Sequence, residues 1–541
     1  MTETTVAPTP LLPRVSGRTA FLAVLIAGLL LRVVLAYVVY PGQGFVTDLG
    51  FFSSWASALV RVGPGAFYQT GGANYPPVYM YVLWLVGELG TVLGPILGMS
   101  TSEATLHLLK VPPILADVAI ATLLYRAGSR WFGSGAGVAA AALYLFMPVS
   151  WYDSALWGQV DAIGAMFMLA AVLALADGWS EPAMILAVVG VLVKPQDLIC
   201  LVVVLPVLFR RHLLRVGSGP VPQLGRRMSA LDDRLGGRLT DQSPLRLGMA
   251  LLLGALVGIA ILLPFDIQNS APASLASLPV IGQVAGLIGL LQSDTGQFAV
   301  LTANAFNGWA LFGSPPLTAI VAGGGSWSSD SIVVLGGLTA VQLGAALLVI
   351  VGLAVSAGLL LRDDRRTIVL AFAVVAFAFY AVPTRVHERY LFPFFPAAAL
   401  LAAPYLVAGM AYLGAAVLNA INIHAVLGSQ NSFGGFGGSG GGAGFGGGSR
   451  LGGGGFNGGG AGFSGGGPGG SGGAGGSWLS LPFMDVARSE PVVTAVAVGQ
   501  TLLFVALFAT WLVVAFGPLV RRRARRFDEA PQPVGMPRFE P

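Results

Sequence analysis

The chain has 541 residues, 55% hydrophobic and only 10% charged, whereas a soluble globular protein carries about 25% charged residues. That balance excludes a secreted enzyme, a cytosolic enzyme and a coiled coil, and the recurring apolar windows of about 20 residues make membrane spans the unit to count. The formal charge of +5 does not indicate nucleic acid, because most of the 27 arginines cluster in short segments beside apolar runs, as the positive-inside rule expects. Cys200, the single cysteine, permits no internal disulfide.

In chain order, the apolar run from Arg18 to Tyr40 is too long for a signal peptide and no small-residue cleavage site follows it, so it reads as an uncleaved first span with Arg32 inside it. Arginine-marked segments read as cytoplasmic loops: Arg14 and Arg18, Arg126 and Arg130, Arg210 to Arg246, Arg362 to Arg366, and Arg521 to Arg526. Asp266 to Ser331 contains no Lys or Arg and is expected to face outside. Counting Tyr75 to Met99 as a span would put Arg126 and Arg130 outside, and the segment holds Pro76, Pro77, Gly87, Gly90, Gly94 and Pro95. It is therefore expected to form an interfacial or re-entrant helical pair on the outer face. Ala183 to Phe209 is expected to be two short helices meeting near the outer surface at Lys194-Pro195-Gln196, because proline removes a backbone donor and a lysine at the bilayer centre is costly.

The fold class expected is an all-α polytopic membrane protein with about 12 spans, at 19–40, 108–126, 135–150, 161–177, 183–194, 196–209, 247–265, 333–361, 367–384, 390–405, 410–427 and 490–518. Both termini then lie in the cytoplasm, with the chain in the plasma membrane. Residues 1–427 form the expected core, and 428–489 a flexible outer loop, in which Gly428 to Ser477 holds 29 of the 77 glycines. Residues 490–541 carry the last span and a basic tail.

This topology gathers the unusual polar residues on the outer face. Asp48 opens a stretch with apolar Phe51, Phe52, Trp55, Leu59 and Val60, which suits a helix lying on the membrane; the plainer reading makes Asp48 a helix cap. Tyr75-Pro76-Pro77 fixes a turn. Lys110 and Asp117 lie two helical turns apart, and Asp117 is either a functional acid or a bond to a neighbouring helix. Trp151 and Tyr152 fit an interfacial belt, whereas Gln159 and Asp161 do not. Arg385-Val386-His387-Glu388-Arg389-Tyr390 carries more ionisable groups than snorkelling needs, and with Lys194 it places potential cations beside carboxylates. Cations at such a place can hold a phosphate, and a carboxylate can take a proton from a hydroxyl. Zinc-protease spacing, a phosphate-binding glycine loop and a dinucleotide fingerprint are all missing from the sequence, apart from chance matches in the glycine tract.

Together the Asp48 segment with Trp55, Tyr75-Pro76-Pro77, Lys110 to Asp117, Trp157-Gly158-Gln159-Val160-Asp161, Lys194-Pro195-Gln196, Asn304-Ala305-Phe306-Asn307-Gly308-Trp309 and His387-Glu388-Arg389-Tyr390 resemble the GT-C superfamily. The nearest pattern is the bacterial group similar to GPI-anchor mannosyltransferases. The resemblance covers about residues 20 to 427 and implies a GT-C-like fold with outer-face interfacial helices in the first loop. It implies an inverting enzyme of the outer face that moves a hexose, mannose foremost, from a polyprenyl-phosphate sugar to a lipid or glycan acceptor. It implies Asp48 as catalytic acid or base, with Tyr75, Gln159 and Asp161 on the acceptor side or supporting it. Donor-phosphate contacts fall on His387 and Arg389, with Lys194 and Arg385 as further candidates. Many such enzymes need no metal and some relatives do, so no metal ligand is assigned. The glycine-rich loop and the lack of a sizeable soluble C-terminal domain depart from the pattern, and the latter argues against oligosaccharyl transfer to protein. A secondary transporter and a lipid-linked glycan ligase or polymerase are the other classes that the sequence leaves open.

Overall fold

A computed structural model describes residues 16–70, 72–216, 221–222, 224–238, 240–295, 299–312, 328–427 and 481–528. The glycine tract and both chain ends lie outside the described residues. What is described is almost entirely helical, with one two-stranded ribbon, Val333–Leu335 against Leu338–Thr339.

Seven helices among the described residues are long and apolar enough to cross a bilayer, or eight if Ser134–Phe146 and Pro148–Trp157, bent by 53°, are one span. The chain is an all-α polytopic membrane protein. Large apolar side chains such as Leu252, Ile350, Leu353 and Val513 stand exposed on these helices, which a soluble surface avoids and a lipid-facing one requires. The expected twelve spans include shorter helices: Asp161–Ala176, Ser180–Val191, Leu201–Phe209, Arg365–Ala381 and Phe394–Ala402 run for 16, 12, 9, 17 and 9 residues. Two of these still bridge the bundle. At about 1.5 Å per residue the Asp161 and Arg365 helices each cover ~25 Å, and each has a charged cluster at both ends.

Tyr75 to Met99 is not a helical pair but one helix, Pro77–Leu97. The glycines that suggested breaks instead allow close packing: a Cβ at Gly87 would come within 2.9 Å of the Ala56 carbonyl oxygen, and one at Gly94 within 3.2 Å of the Met99 carbonyl oxygen. Pro95 does not break the helix, whose end is marked by left-handed Gly98 at φ 69°. Gly409 likewise divides nothing. The break after Ala402 is at Ala403 to Tyr405, and Leu406–Leu427 runs through the glycine.

The expected break at Lys194 is present. Ser180–Val191 ends, Lys194 is extended at φ −151°, and a 3-10 turn, Pro195–Cys200, leads into Leu201–Phe209. Arg32 and Asp117, the two charges inside the first apolar segments, are fully buried and bonded to each other at 2.6 Å, with Tyr144 and Ser150 completing the set. Asp117 therefore ties helices together, the second of the two readings its position allowed.

Candidate functional site

Asp48 lies in the first turn of Val46–Val62, but it is not the cap: Phe45 occupies that position. Its carboxylate is instead held from the next loop. The Trp157 indole N–H donates to Asp48 Oδ2 at 2.8 Å and the Gln159 amide donates to the same oxygen at 2.6 Å. The Val160 N–H donates to Gln159 Oε1 at 2.9 Å, which fixes the amide with its NH2 toward Asp48. Phe45 stacks on Trp157 at 4.4 Å between ring centroids, so packing as well as hydrogen bonding sets the indole. Among the described residues no hydrogen-bond donor meets Asp48 Oδ1.

Asp161 begins the next helix, Asp161–Ala176, where a carboxylate suits the positive end of the helix dipole. Lys194 Nζ donates to its Oδ1 at 2.7 Å and the Gln196 amide to the same atom at 2.9 Å. Pro195 explains why: the broken helix turns both side chains back toward Asp161. The Lys194 ammonium also lies 5.6 Å from the Tyr75 ring centroid and 5.4 Å from that of Tyr390, within cation–π range.

Arg389 joins the two carboxylates. Its Nη2 is 3.6 Å from Asp48 Oδ2, its Nε 3.5 Å from Asp161 Oδ2, and Nη1 donates to Glu388 at 2.6 Å, while the guanidinium lies 5.1 Å from the Trp157 ring centroid. Arg389 Nε is buried and makes no hydrogen bond among the described residues. The loop that carries Arg389 is clamped by residues 300–309: the Ala303 N–H donates to the Val386 carbonyl at 2.8 Å, Asn307 to that of Tyr380, and Trp309 to that of Val382. Asn419 and Asn422 hold the two strips together, donating to the carbonyls of Glu388 and Asn304. The Asn304 to Trp309 motif thus acts as a brace for the Arg389 loop.

Of the residues named from sequence, Asp48, Gln159, Asp161, Lys194, Tyr75 and Arg389 converge. Arg385 is held by a different carboxylate. Left-handed at φ 65°, it pairs with Asp330 at 2.6 Å. Burial, followed by the nearby Arg389 and Lys194 charges, lowers the His387 pKa well below its ordinary value of 6.5. Burial pushes the Glu388 carboxyl up, with Arg389 opposing. Sequence reasoning assigned no role to Trp157, Gln196, Glu388 and Tyr390; all four stood inside quoted motifs. It also missed Asp153 and Asp197, buried carboxylates with oxygens that have no hydrogen-bond partner among the described residues. Among the described residues no group of three or more His, Cys, Asp or Glu side chains is placed to hold a metal ion.

No family model matches the chain, and no curated protein does. Solved structures do. The archaeal oligosaccharyltransferase AglB from Archaeoglobus fulgidus, in complex with an inhibitory peptide and a dolichol-phosphate, is similar at TM-score 0.37 and 16% identity over 75% of this chain and 51% of that one. A second structure of that organism's oligosaccharyltransferase, tethered to an acceptor peptide, gives 0.39 and 16% over 74% and 51%. ArnT from Cupriavidus metallidurans, bound to undecaprenyl phosphate, gives 0.38 and 15% over 91% and 77%. The chain spans about half the length of the archaeal transferases it matches. All three likenesses stay below a TM-score of 0.5 and at 15–16% identity.

Proposed function

We propose that the chain is an integral-membrane glycosyltransferase of GT-C type that moves a hexose, mannose foremost, from a polyprenyl-phosphate sugar to a lipid or glycan acceptor with inversion. One observation carries the reading: both donors to Asp48 bind Oδ2, so the carboxylate is fixed by one oxygen while the other is left for an incoming hydroxyl. A general base needs that combination of orientation and an open acceptor. In the step proposed, Oδ1 takes the hydroxyl proton as the acceptor oxygen bonds to the anomeric carbon. The bond from that carbon to the phosphate oxygen breaks on the opposite face, and its electron pair leaves with the polyprenyl phosphate. Arg389, the cation set between Asp48 and Asp161, supplies the charge-assisted contact to the phosphate. Lys194 is engaged by Asp161 and two rings, so its part is to hold Asp161 and Tyr75 in place.

The test is transfer from a polyprenyl-phosphate mannose by the purified full chain, with product stereochemistry determined and direct donor binding measured. Product with inverted configuration is expected. Donor binding without transfer to any lipid or glycan acceptor, together with flux of a solute in proteoliposomes, would overturn the reading in favour of a transporter. The outer-face placement has its own test in a Cys200→Ser background: a cysteine at exposed Ser54 should label from outside intact cells and one at exposed Ser229 should not. Ser154, also on the expected outer side, lies in the π-helical segment Tyr152–Trp157, fully buried and unsuitable.

A further inference from the structure

At the end of the bundle away from Asp48, six arginines meet three aspartates. Arg210 and Arg211 share Asp363, at 3.0 and 2.6 Å. Arg130 and Arg365 share Asp177, and Arg362 pairs with Asp364 at 2.5 Å. Arg366 is exposed, and its guanidinium lies over aromatic rings, 5.3 Å from the Phe132 centroid and 5.5 Å from that of Tyr405. Positive charge exceeds negative here, and it surrounds an open cavity of about 770 Å³ lined by residues 361–366 with Arg210 and Val221, so that four arginines stand against Asp363 and Asp364.

We propose that this cavity binds the headgroup of an anionic phospholipid. Three observations favour a lipid over a free phosphate. Leu361 and Val221 are exposed on its wall, so apolar surface adjoins the charges. Phe132 and Tyr405, beneath Arg366, are the aromatic type that settles at the headgroup level. The last helix, Glu490–Asp528, passes beside the site, where Trp511 and Ala515 pack at Gly358, so the apolar surface of a helix long enough to span the bilayer adjoins the cavity. Basic clusters at a membrane boundary attract anionic headgroups, and a guanidinium fork grips phosphate with two parallel hydrogen bonds.

The experiment titrates the full chain in a neutral detergent with short-chain phosphatidylglycerol, short-chain phosphatidylcholine or inorganic phosphate, and follows thermal unfolding by tryptophan fluorescence alongside native mass spectrometry. Phosphatidylglycerol should raise the unfolding temperature and remain bound, and phosphatidylcholine should not. Arg362→Gln with Arg366→Gln should weaken the apparent affinity about tenfold or more, whereas Arg521→Gln with Arg522→Gln should change it by less than about twofold. Should the first pair fail to elute as a folded protein, Arg362→Gln alone must still show a weakened response. Equal responses to the two lipids, a response of the Arg362/Arg366 variant like that of the parent, or loss in the tail variant only would each overturn the cavity as the site. An equal effect of inorganic phosphate would overturn the lipid as its ligand.

Discussion

At the Asp48 end of the bundle, Lys194 and Arg389 are 4% and 9% exposed and bond carboxylates that are themselves mostly or wholly buried, while at the opposite end Arg362 and Arg365 are 48% and 38% exposed. The residue types are alike and the physics differs. Exposed pairs are screened by water and contribute little, so their charge stays free to act on other molecules. Buried pairs recover their desolvation cost only through fixed geometry, so each partner is bound to the other's presence. The first arrangement suits attraction of a headgroup, the second a preorganised reaction site.

Removing one buried partner has the largest expected effect. Lys194→Met leaves Asp161 with the Gln196 amide and Arg389 at 3.5 Å, and should cost about 3–5 kcal/mol of stability. Adding Asp161→Leu should restore much of the loss in a denaturant titration. A single variant as stable as the parent would mean that the two ends do not differ in this way. Asp48→Asn comes next. It keeps the size of the side chain but presents no carboxylate to the hydroxyl, so kcat should fall about 100-fold or more while donor affinity stays near the parent's. Full activity would shift the role of base to Asp161.

Acid should act on the buried end through His387. His387 has a folded pKa well below its unfolded value of 6.5, so the stability it contributes is complete above about pH 6.5 and is lost as the pH falls below that value. The slope of unfolding free energy against pH from this one group is at most about 1.4 kcal/mol per unit. His387→Gln should flatten the parent's decline on the acid side, and the difference between the two proteins separates it from Glu388, whose raised carboxyl acts in the opposite sense. Parallel curves would show that His387 titrates normally. The smallest effect belongs to the exposed end, where Arg362→Gln should change stability by no more than about 0.5–1 kcal/mol at moderate salt.

Much of the site was legible because its residues are chemically out of place. An acid after a first span, a lysine before a proline in an apolar run, and charges crowded at 385–389 each violate the membrane's preferences, and Asp48, Lys194 and Arg389 do converge. Arg385 obeyed the same pattern but answers to Asp330, a partner 55 residues away in sequence that no local spacing reveals. Arg32 and Asp117 show the reverse case: two costly charges in neighbouring spans were each visible, and reading them as one ion pair would have explained both. The glycines of Pro77–Leu97 misled for a physical reason, since the missing Cβ that weakens an isolated helix also admits a neighbour's backbone. Trp157 was hidden because an aromatic at a membrane edge usually means only an anchor.

Cys200 is fully buried at the joint between the Lys194 turn and Leu201–Phe209, with its thiol 4.0 Å from the Met168 carbonyl oxygen. Because it is the chain's only cysteine, a thiol reagent can react with the folded protein only as fast as that joint opens. The rate of modification against reagent concentration therefore times the local opening of the broken helix without any engineered label, and its plateau gives the opening rate itself. A donor analogue that quiets this joint should slow the plateau and leave the chemistry of the thiol unchanged.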